Sequence, residues 1–317
     1  MGRYTRRLRK CCKNTSGCFV YNTPLPIAHV ARFRGKANAN QQTQFISPEL
    51  RIELLQRQLA FETKVDPTAY TDIPSAVEHY SNLVPLENVA IQNQPQTTFK
   101  AFSCRDGGFY CLRRIHGYAV THPGKQTFPA EQWKKLAHVN IVPLRELLIN
   151  CRAFGDSSLV FVYDYYPLAV TLMSKHFEPK SATFYDAANG FRLSSTVHMP
   201  PPLGTAASEN MLWSYLIQIT AALRAIHTNG LACRAVDLNK IIVYGNKIML
   251  SFCGIQDIVN QDQQAIQTLQ FEDLNQLGNL MVALASGRSH GYRKDLLQGT
   301  MKTIMETYSI DFKAVVT

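Results

Sequence analysis

The segment from residue 233 to residue 240 has the frame of a phosphoryl-transfer loop but lacks the groups that do the chemistry. It reads Cys-Arg-Ala-Val-Asp-Leu-Asn-Lys, against the pattern His-Arg-Asp-Leu-x-x-x-Asn. In that pattern the aspartate accepts the proton of the attacking hydroxyl group, and the asparagine binds Mg²⁺. Ala235 and Lys240 stand at these two positions. Because a methyl group cannot accept a proton and an ammonium group cannot bind a cation, we expect a loop without catalytic function.

Further segments of the protein-kinase pattern occur along the chain in their usual order. They are a strand at Tyr110–Ile115, the turn after helix C at His138–Leu144, a strand into the hinge at Leu159–Tyr165, an apolar helix at Leu212–His227 stopped by Asn229 and Gly230, a hairpin over 241–251, the D-F-G position at Phe252–Gly254, and a large central helix that opens at Asp273. Several motifs in order are stronger evidence than one short motif. They predict an α+β, two-lobed, protein-kinase-like fold.

The other charged parts of a kinase active site are also replaced. Phe252 stands where the D-F-G aspartate binds metal, and Arg113 stands at the phosphate-binding lysine. The helix C glutamate that pairs with this lysine would fall at Pro129, and the nearest carboxylate is Glu131. The segment over 91–99, where a glycine-rich loop should cover phosphates, contains no glycine. These losses predict a pseudokinase with no catalytic residue and no metal ligand.

Asp273 is an acidic residue of the kinase pattern that the chain retains. In kinases an aspartate at this position supports the backbone of the catalytic loop and takes no part in chemistry. Its presence therefore predicts that the shape of the loop is maintained. A lone acidic residue at a helix start is also a common N-terminal charge preference. The sequence leaves both interpretations open.

Several longer runs narrow the resemblance to one family of pseudokinases. They are Cys111–Gly117, Ser158–Tyr165, Leu172–Phe177, Ala221–Thr228 and Gly230–Arg234. In these runs the chain closely resembles the regulatory pseudokinase subunit of the poly(A)-nuclease (PAN) deadenylation complex, and the likeness extends from about Pro48 to the end. It implies a non-catalytic regulatory subunit that forms a homodimer, recruits the catalytic poly(A) nuclease subunit and delivers it to poly(A)-binding protein and mRNA. It also implies poly(A)-tail shortening in mRNA decay, in the cytoplasm and its P-bodies.

The resemblance further implies that the pseudokinase domain binds ATP as a structural ligand that is not hydrolysed. Three elements would hold the nucleotide: the arginine at the lysine position, the hinge segment with the turn after it, and the dipeptide before the next strand. In this sequence they are Arg113; Asp164, Tyr165, Tyr166, Pro167, Leu168, Ala169, Val170 and Thr171; and Asn239 and Lys240. Arginine and lysine side chains can neutralise phosphate charge in place of a metal ion.

The two ends of the chain differ from the full-length family. The N-terminus shows neither the family's zinc finger nor its segment for poly(A)-binding protein. Cys11, Cys12, Cys18 and His29 have no zinc-finger spacing, and free thiols explain them better. The C-terminus stops within a late helix, before the coiled coil that dimerises the family and the knob that holds the nuclease subunit. We therefore expect an incomplete C-lobe and a fragment or truncated product.

The positive charge of the chain is concentrated at its start. The net charge is +10, and residues 1–36 contain nine lysines or arginines and no acidic residue, so the rest carries about +1. Such a tail attracts RNA through counterion release, and Tyr4, Phe19, Tyr21 and Phe33 could stack on bases. The alternative is a solvated arm. RNA contact through residues 1–36 is therefore one of our expectations.

We divide the chain into four parts: a basic disordered extension over 1–46, a helical lead-in over 47–82, the N-lobe over 83–165 and the C-lobe over 166–317. Ser47 and Pro48 predict the start of an amphipathic lead-in helix with Leu50, Leu54, Leu55 and Leu59 on its apolar face. A free surface helix is the alternative. The polar, proline-rich stretch over 178–209 predicts a surface insertion.

The sequence excludes a membrane-spanning helix, disfavours a disulfide-stabilised fold and leaves two other functions open. No apolar stretch is long enough to span a membrane, and scattered cysteines favour a reducing cytosol over a disulfide scaffold. Two alternatives to the regulatory subunit are a degenerate but active protein kinase and an RNA-binding module that acts through the basic tail.

Overall fold

The computed structural model describes residues 48–65, 72–86, 96–178, 206–260 and 264–316. The predicted extension over 1–46, the first part of the segment over 91–99 and most of the predicted insertion lie outside these residues. The described residues form two compact units, one of 48–119 and 148–168, and one of 120–147, 169–178 and 206–316. None of the described helices is long and apolar enough to cross a membrane.

The first unit contains one helix and most of a six-stranded sheet. Its elements are α1 (Pro48–Glu62), β1 (Ala76–Val77), β2 (Tyr80–Pro85), β3 (Gln96–Ser103), β4 (Phe109–Ile115), the second half of β5 (Leu144–Cys151) and β6 (Ser158–Asp164). The strand order is β1-β2-β3-β4-β6-β5. The two strands predicted at Tyr110–Ile115 and Leu159–Tyr165 are confirmed as β4 and β6.

The core of the first unit lies along β4 and β6. These strands are antiparallel neighbours, and Arg113 pairs in register with Phe161. Every residue of β6 from Leu159 to Tyr163 is at most 1% exposed, which explains why this strand reads as a continuous apolar run without alternation. Leu112 from β4 and Phe99 from β3 complete the same buried cluster.

Helix α1 is fastened to the sheet through its C-terminal end. Lys100 on β3 donates hydrogen bonds to the carbonyl oxygens of Ala60 (2.8 Å), Phe61 (3.1 Å) and Thr63 (2.8 Å). These groups lack partners within a helix, so the lysine acts as its C-terminal cap. Leu50 and Leu59 are 45% and 62% exposed, so the predicted apolar face was wrong at these two positions. The helix is attached to the sheet by the Lys100 side chain, which binds the last turn of the helix.

The second unit contains most of the helices and a small sheet. Its elements are α2 (Pro123–Lys135), β7 (Val170–Thr171), α3 (Leu172–His176), α4 (Glu209–Thr228), β8 (Ile241–Tyr244), β9 (Lys247–Leu250), α5 (Ile255–Val259), α6 (Ile266–Ser286), α7 (Lys294–Thr307) and α8 (Ile310–Val316). The sheet has the order β7-β8-β9. The predicted hairpin over 241–251 is confirmed by the antiparallel pair β8 and β9.

Helices α4 and α6 form the buried centre of the second unit. Helix α4 buries residues spaced three or four apart, from Leu212 to Ile226, which is the pattern of a helix with one apolar face. It ends before Asn229 and Gly230, as predicted, and Gly230 adopts the left-handed conformation that helix ends favour. The last two turns of α6 are almost wholly buried, from Leu280 to Ala285. This pair of helices supports the loop that carries Ala235.

Candidate functional site

Asp273 supports the backbone of the altered catalytic loop. Its two carboxylate oxygens accept hydrogen bonds from the backbone N–H groups of Cys233 and Arg234, both at 2.7 Å, and His227 Nε2 lies 2.9 Å from Oδ2. The residue is 1% exposed and lies about two turns inside α6. The predicted supporting role is confirmed, and the helix-start interpretation was wrong because the helix begins at Ile266.

The positions where a kinase has its base and metal ligands hold other chemistry. Ala235 is 3% exposed, so its methyl group is part of the core. Phe252 has a φ of 59°, which places a bulky residue in the left-handed region. Cys233 and Cys253 are both buried, with their sulfur atoms 3.8 Å apart. This contact and burial raise the pKa of the Cys233 thiol well above its usual range. The Cys233 thiol is therefore kept neutral. The two cysteines stand at the histidine of the H-R-D motif and the phenylalanine of the D-F-G motif, next to the altered positions Ala235 and Phe252.

Helix α2 is held against the segment that follows β9. The indole N–H of Trp133 donates to Asp257 Oδ2 at 2.9 Å, and Arg234 Nη1 lies 3.5 Å from Asp257 Oδ1. Burial raises the pKa of the Asp257 carboxyl, while the Trp133 and Arg234 contacts oppose that effect. A Cβ atom on Gly254 would lie 2.8 Å from two carbon atoms of the Trp133 ring. Glycine is therefore required here for close packing as well as for its φ of 87°.

Arg113 is bound to its own sheet in the first unit. Its guanidinium donates to Gln96 Oε1 at 3.1 Å and to Thr98 Oγ1 on the neighbouring strand β3. In the second unit, Glu131 is exposed on α2 and pairs with Lys134 of the same helix at 2.7 Å. The carboxylate closest in sequence to the kinase glutamate position is thus used in a local surface pair.

The predicted nucleotide-binding residues fall into two groups, one in each unit. In the first unit, Arg113 and Asp164 lie on the adjacent strands β4 and β6, and the hinge continues through Tyr165 to Leu168. In the second unit, Val170 and Thr171 pair with Val243 and Ile242 of β8, which directly follows Asn239 and Lys240. Each group is therefore assembled by its own sheet. The assignment of these residues to ATP stays a prediction.

A polar cavity of about 270 Å³ adjoins the altered loop within the second unit. Its lining combines cationic, acidic and amide side chains with two apolar ones. They are Arg234, Val236, Asp237, Lys240, Gln256, Leu269, Glu272, Asp273 and Gln276. Asp237 accepts a hydrogen bond from the Asn239 N–H at 2.7 Å. Asp273 accepts hydrogen bonds from the backbone N–H groups of Cys233 and Arg234. Within the described ranges no group of three or more histidine, cysteine or acidic side chains is placed to hold a metal ion.

Sequence reasoning missed the structural roles of Asn140 and Lys100, among others. Asn140 is buried and donates to Gln218 Oε1 at 2.9 Å and to the carbonyl oxygen of Ile248 at 2.7 Å, which ties the turn after α2 to α4 and β9. Its place in the His138–Leu144 motif was the available signal. Lys100, the cap of α1, lies between the apolar residues Phe99 and Ala101. A lysine in such a run predicts a buried partner, but the sequence does not say which.

Comparison with known proteins identifies relatives of this chain in sequence and in structure. No family model matches it. A curated relative from Caenorhabditis elegans, PAN2-PAN3 deadenylation complex subunit PAN3, is 66% identical over 304 residues, which cover 96% of this chain and 48% of the relative. The Drosophila melanogaster PAN3 pseudokinase structure is 37% identical, covers 77% of this chain and 61% of that chain, and has a TM-score of 0.64. The chain is a homologue of PAN3.

A structure of Neurospora crassa PAN3 in complex with PAN2 gives the same result. It is 30% identical, has a TM-score of 0.72, and the match covers 86% of this chain and 64% of that PAN3 chain. These comparisons confirm the predicted resemblance, the kinase-like fold and the assignment as a pseudokinase. The chain spans about half the length of the C. elegans PAN3 and a smaller share of its other curated relatives.

Proposed function

We propose that this PAN3 homologue is a non-catalytic regulatory subunit of a cytoplasmic complex that shortens the poly(A) tails of mRNA. The 66% identity to a PAN3 subunit carries the proposal. The geometry supports it, because Asp273 maintains the shape of the catalytic loop while Ala235, Lys240 and Phe252 cannot supply a base or metal ligands. A catalytic loop that keeps its shape but lacks catalytic groups is consistent with a role in binding other proteins.

The partners in this proposal are the catalytic nuclease of the PAN2 type and poly(A)-binding protein. A solved complex of PAN3 with PAN2 supports the first, and the second rests on the family resemblance alone. Homodimerisation, which the resemblance implies for the full-length family, belongs to the same proposal. The basic residues 1–36 are proposed as a contact to RNA, since their charge is uncompensated along the sequence.

Affinity purification from cytosol tests the proposed function. The tagged chain should retain the PAN2-type nuclease and poly(A)-binding protein, both identified by mass spectrometry. A matched bait, an active kinase domain of similar size, controls for proteins that bind any kinase-like fold. Recovery of neither partner, or equal recovery on the control bait, would remove the assignment as a deadenylase subunit.

We further propose that ATP binds as a structural ligand through Arg113, the segment Asp164–Thr171, Asn239 and Lys240. ATP should raise the melting temperature, because a ligand that binds only the native state stabilises it. Arg113→Ala and Lys240→Met should each reduce this rise, measured as the shift relative to the same variant without nucleotide. Each variant is compared with itself because the loss of the Arg113 bond to Gln96 changes the melting temperature even without nucleotide. A flat thermal-shift curve of the unaltered protein up to millimolar ATP would contradict the site.

A further inference from the structure

The connection between α6 and α7 presents positive charge and aromatic rings to solvent. We refer to residues 288–294 as the 288–294 turn. Its five long side chains are all exposed, and Tyr292 retains 38% of its surface. The exposed side chains are Arg288, His290, Tyr292, Arg293 and Lys294. A cationic segment interleaved with aromatic residues has the composition of a surface that binds single-stranded nucleic acid.

The shape of the 288–294 turn is fixed by its backbone, so its side chains remain available. The Arg288 N–H donates to the Ala283 carbonyl oxygen at 3.2 Å, the Gly291 N–H to Arg288 at 3.0 Å and the Arg293 N–H to His290 at 3.1 Å. Gly291 is buried, and a Cβ atom there would lie 2.6 Å from Ser286 Oγ. The turn therefore lies tightly against the end of α6 without using its charged side chains.

The cations of the turn are not neutralised by the protein. In the part of the chain that the structure describes, neither Arg288, Arg293 nor Lys294 forms an ion pair with a carboxylate. The acidic residue that follows them, Asp295, opens the first turn of α7. Because the chain beyond residue 36 carries only about +1 in total, three unpaired cations in seven residues are a local excess.

We propose that the 288–294 turn is a binding surface for single-stranded RNA. Arg288, Arg293 and Lys294 would contact successive phosphates, and the ring of Tyr292 would stack on a base. The Tyr292 and His290 rings meet edge to face with centroids 6.4 Å apart, and Tyr292 keeps more than a third of its surface free. This inference rests on the proposed function, and it adds a contact in the folded part of the chain to the one proposed for residues 1–36.

Single-stranded RNA fits this surface better than an acidic protein segment does. An acidic partner would need only the cations, whereas a base uses the exposed ring next to them. Stacking on an aromatic ring tolerates any base, since every base has a flat face. The charge and ring contributions can be separated experimentally, because only the phosphate contacts depend on salt.

The test compares variants of the whole 317-residue chain for binding of a labelled oligoadenylate by fluorescence anisotropy over a series of salt concentrations. Arg288→Gln, Arg293→Gln and Lys294→Gln in one chain should lower the slope of log affinity against log salt by about 2, since each phosphate contact of a single strand contributes about 0.7. Tyr292→Leu should weaken binding by about tenfold with the slope unchanged.

A matched control removes the same charge elsewhere. Lys125, Lys247 and Lys302 are exposed lysines of the second unit, and their replacement by Gln should leave slope and affinity near those of the unaltered protein. Residues 1–36 are present in every variant, so any contribution of the tail is constant. Unchanged melting temperatures establish that the exposed substitutions leave the fold intact.

Any one of the following results would overturn the inference. They are equal slopes for the turn variant and the lysine control, full affinity in Tyr292→Leu, and binding of a duplex DNA as tight as that of the oligoadenylate, which identifies a general polyanion surface. Absence of any oligoadenylate binding by the unaltered protein also overturns it. The affinity purification tests the proposed function separately, so the two failures are distinguishable.

Discussion

At the scale of single residues, Asp273 is the side chain that maintains the loop. A buried carboxylate is costly unless donors surround it, and this one has two backbone N–H groups and His227 around it. The sequence predicted this role because Asp273 keeps its kinase position. It did not predict His227, since a histidine at the end of an apolar helix has no partner until the fold brings α6 beside it.

Asp273→Ala should destabilise the protein by about 3–5 kcal/mol, because it leaves the buried N–H groups of Cys233 and Arg234 without an acceptor. Chemical denaturation followed by circular dichroism measures the change. The exposed Asp295 supplies the control, and Asp295→Ala should change stability by no more than about 0.5 kcal/mol. Similar losses in the two variants would show that Asp273 is not the support of the loop.

At the scale of elements, α1 is a lead-in that depends on one lysine of β3. The helix exposes Leu50 and Leu59, so little apolar burial holds it. Its last turn is bound by Lys100, and Phe61 packs against Phe109 with ring centroids 4.9 Å apart. The pattern of Leu residues predicted a helix correctly and its attachment only in part, because helical periodicity does not reveal which side chain of a distant strand meets its end.

Lys100→Met should release the end of α1, since Ala60, Phe61 and Thr63 lose their donor. Amide hydrogen exchange of residues 59–65 should accelerate, while exchange in the fully buried strand β6 stays slow. Lys125→Met, at an exposed lysine of α2, is the matched control and should leave both regions unchanged. Equal exchange of residues 59–65 in the two variants would contradict the role of Lys100.

The same lysine predicts a dependence of stability on pH. Burial lowers the pKa of Lys100 from 10.5 to about 8. Between these two values the unfolded chain holds a proton that the folded chain has released, so stability rises with pH in this window. Below about pH 8 the lysine is charged in both states, and the cost of burying the charge is fully present. Unfolding free energies of the unaltered protein and Lys100→Met should therefore diverge between pH 8 and 10 in favour of the unaltered protein. Parallel plots of unfolding free energy against pH for the two proteins would contradict the lowered pKa of Lys100.

At the scale of the whole molecule, the loss of chemistry is distributed over both units. Arg113 bonds within its own sheet, Glu131 is engaged by Lys134, and Ala235 is part of a packed core. The order of motifs predicted this fold, because shape is encoded in apolar spacing that the chain retains. The bond from Arg113 to Gln96 was not predictable, since it joins two strands that only the fold brings together. The pair of Glu131 and Lys134, by contrast, is local to one helix.

Restoring Ala235→Asp, Lys240→Asn and Phe252→Asp in one chain should leave phosphoryl transfer at background. The segment over 91–99 still lacks glycine, and α2 still carries Pro129 at the glutamate position. Release of ADP from ATP with Mg²⁺ or Mn²⁺ measures the outcome, and a thermal melt verifies that the variant is folded. Turnover above that of the unaltered protein, abolished by a further Arg113→Ala, would show instead that the loss is confined to three positions.

The contact between Trp133 and Gly254 has a consequence for motion. Active kinases switch by moving helix C toward or away from the segment after the D-F-G motif. For α2 to move in this way, the Trp133 ring would have to separate from the backbone of Gly254. It would also lose its hydrogen bond to the largely buried carboxyl group of Asp257. We therefore expect α2 to stay packed against the segment after β9, without the helix C movement that switches active kinases.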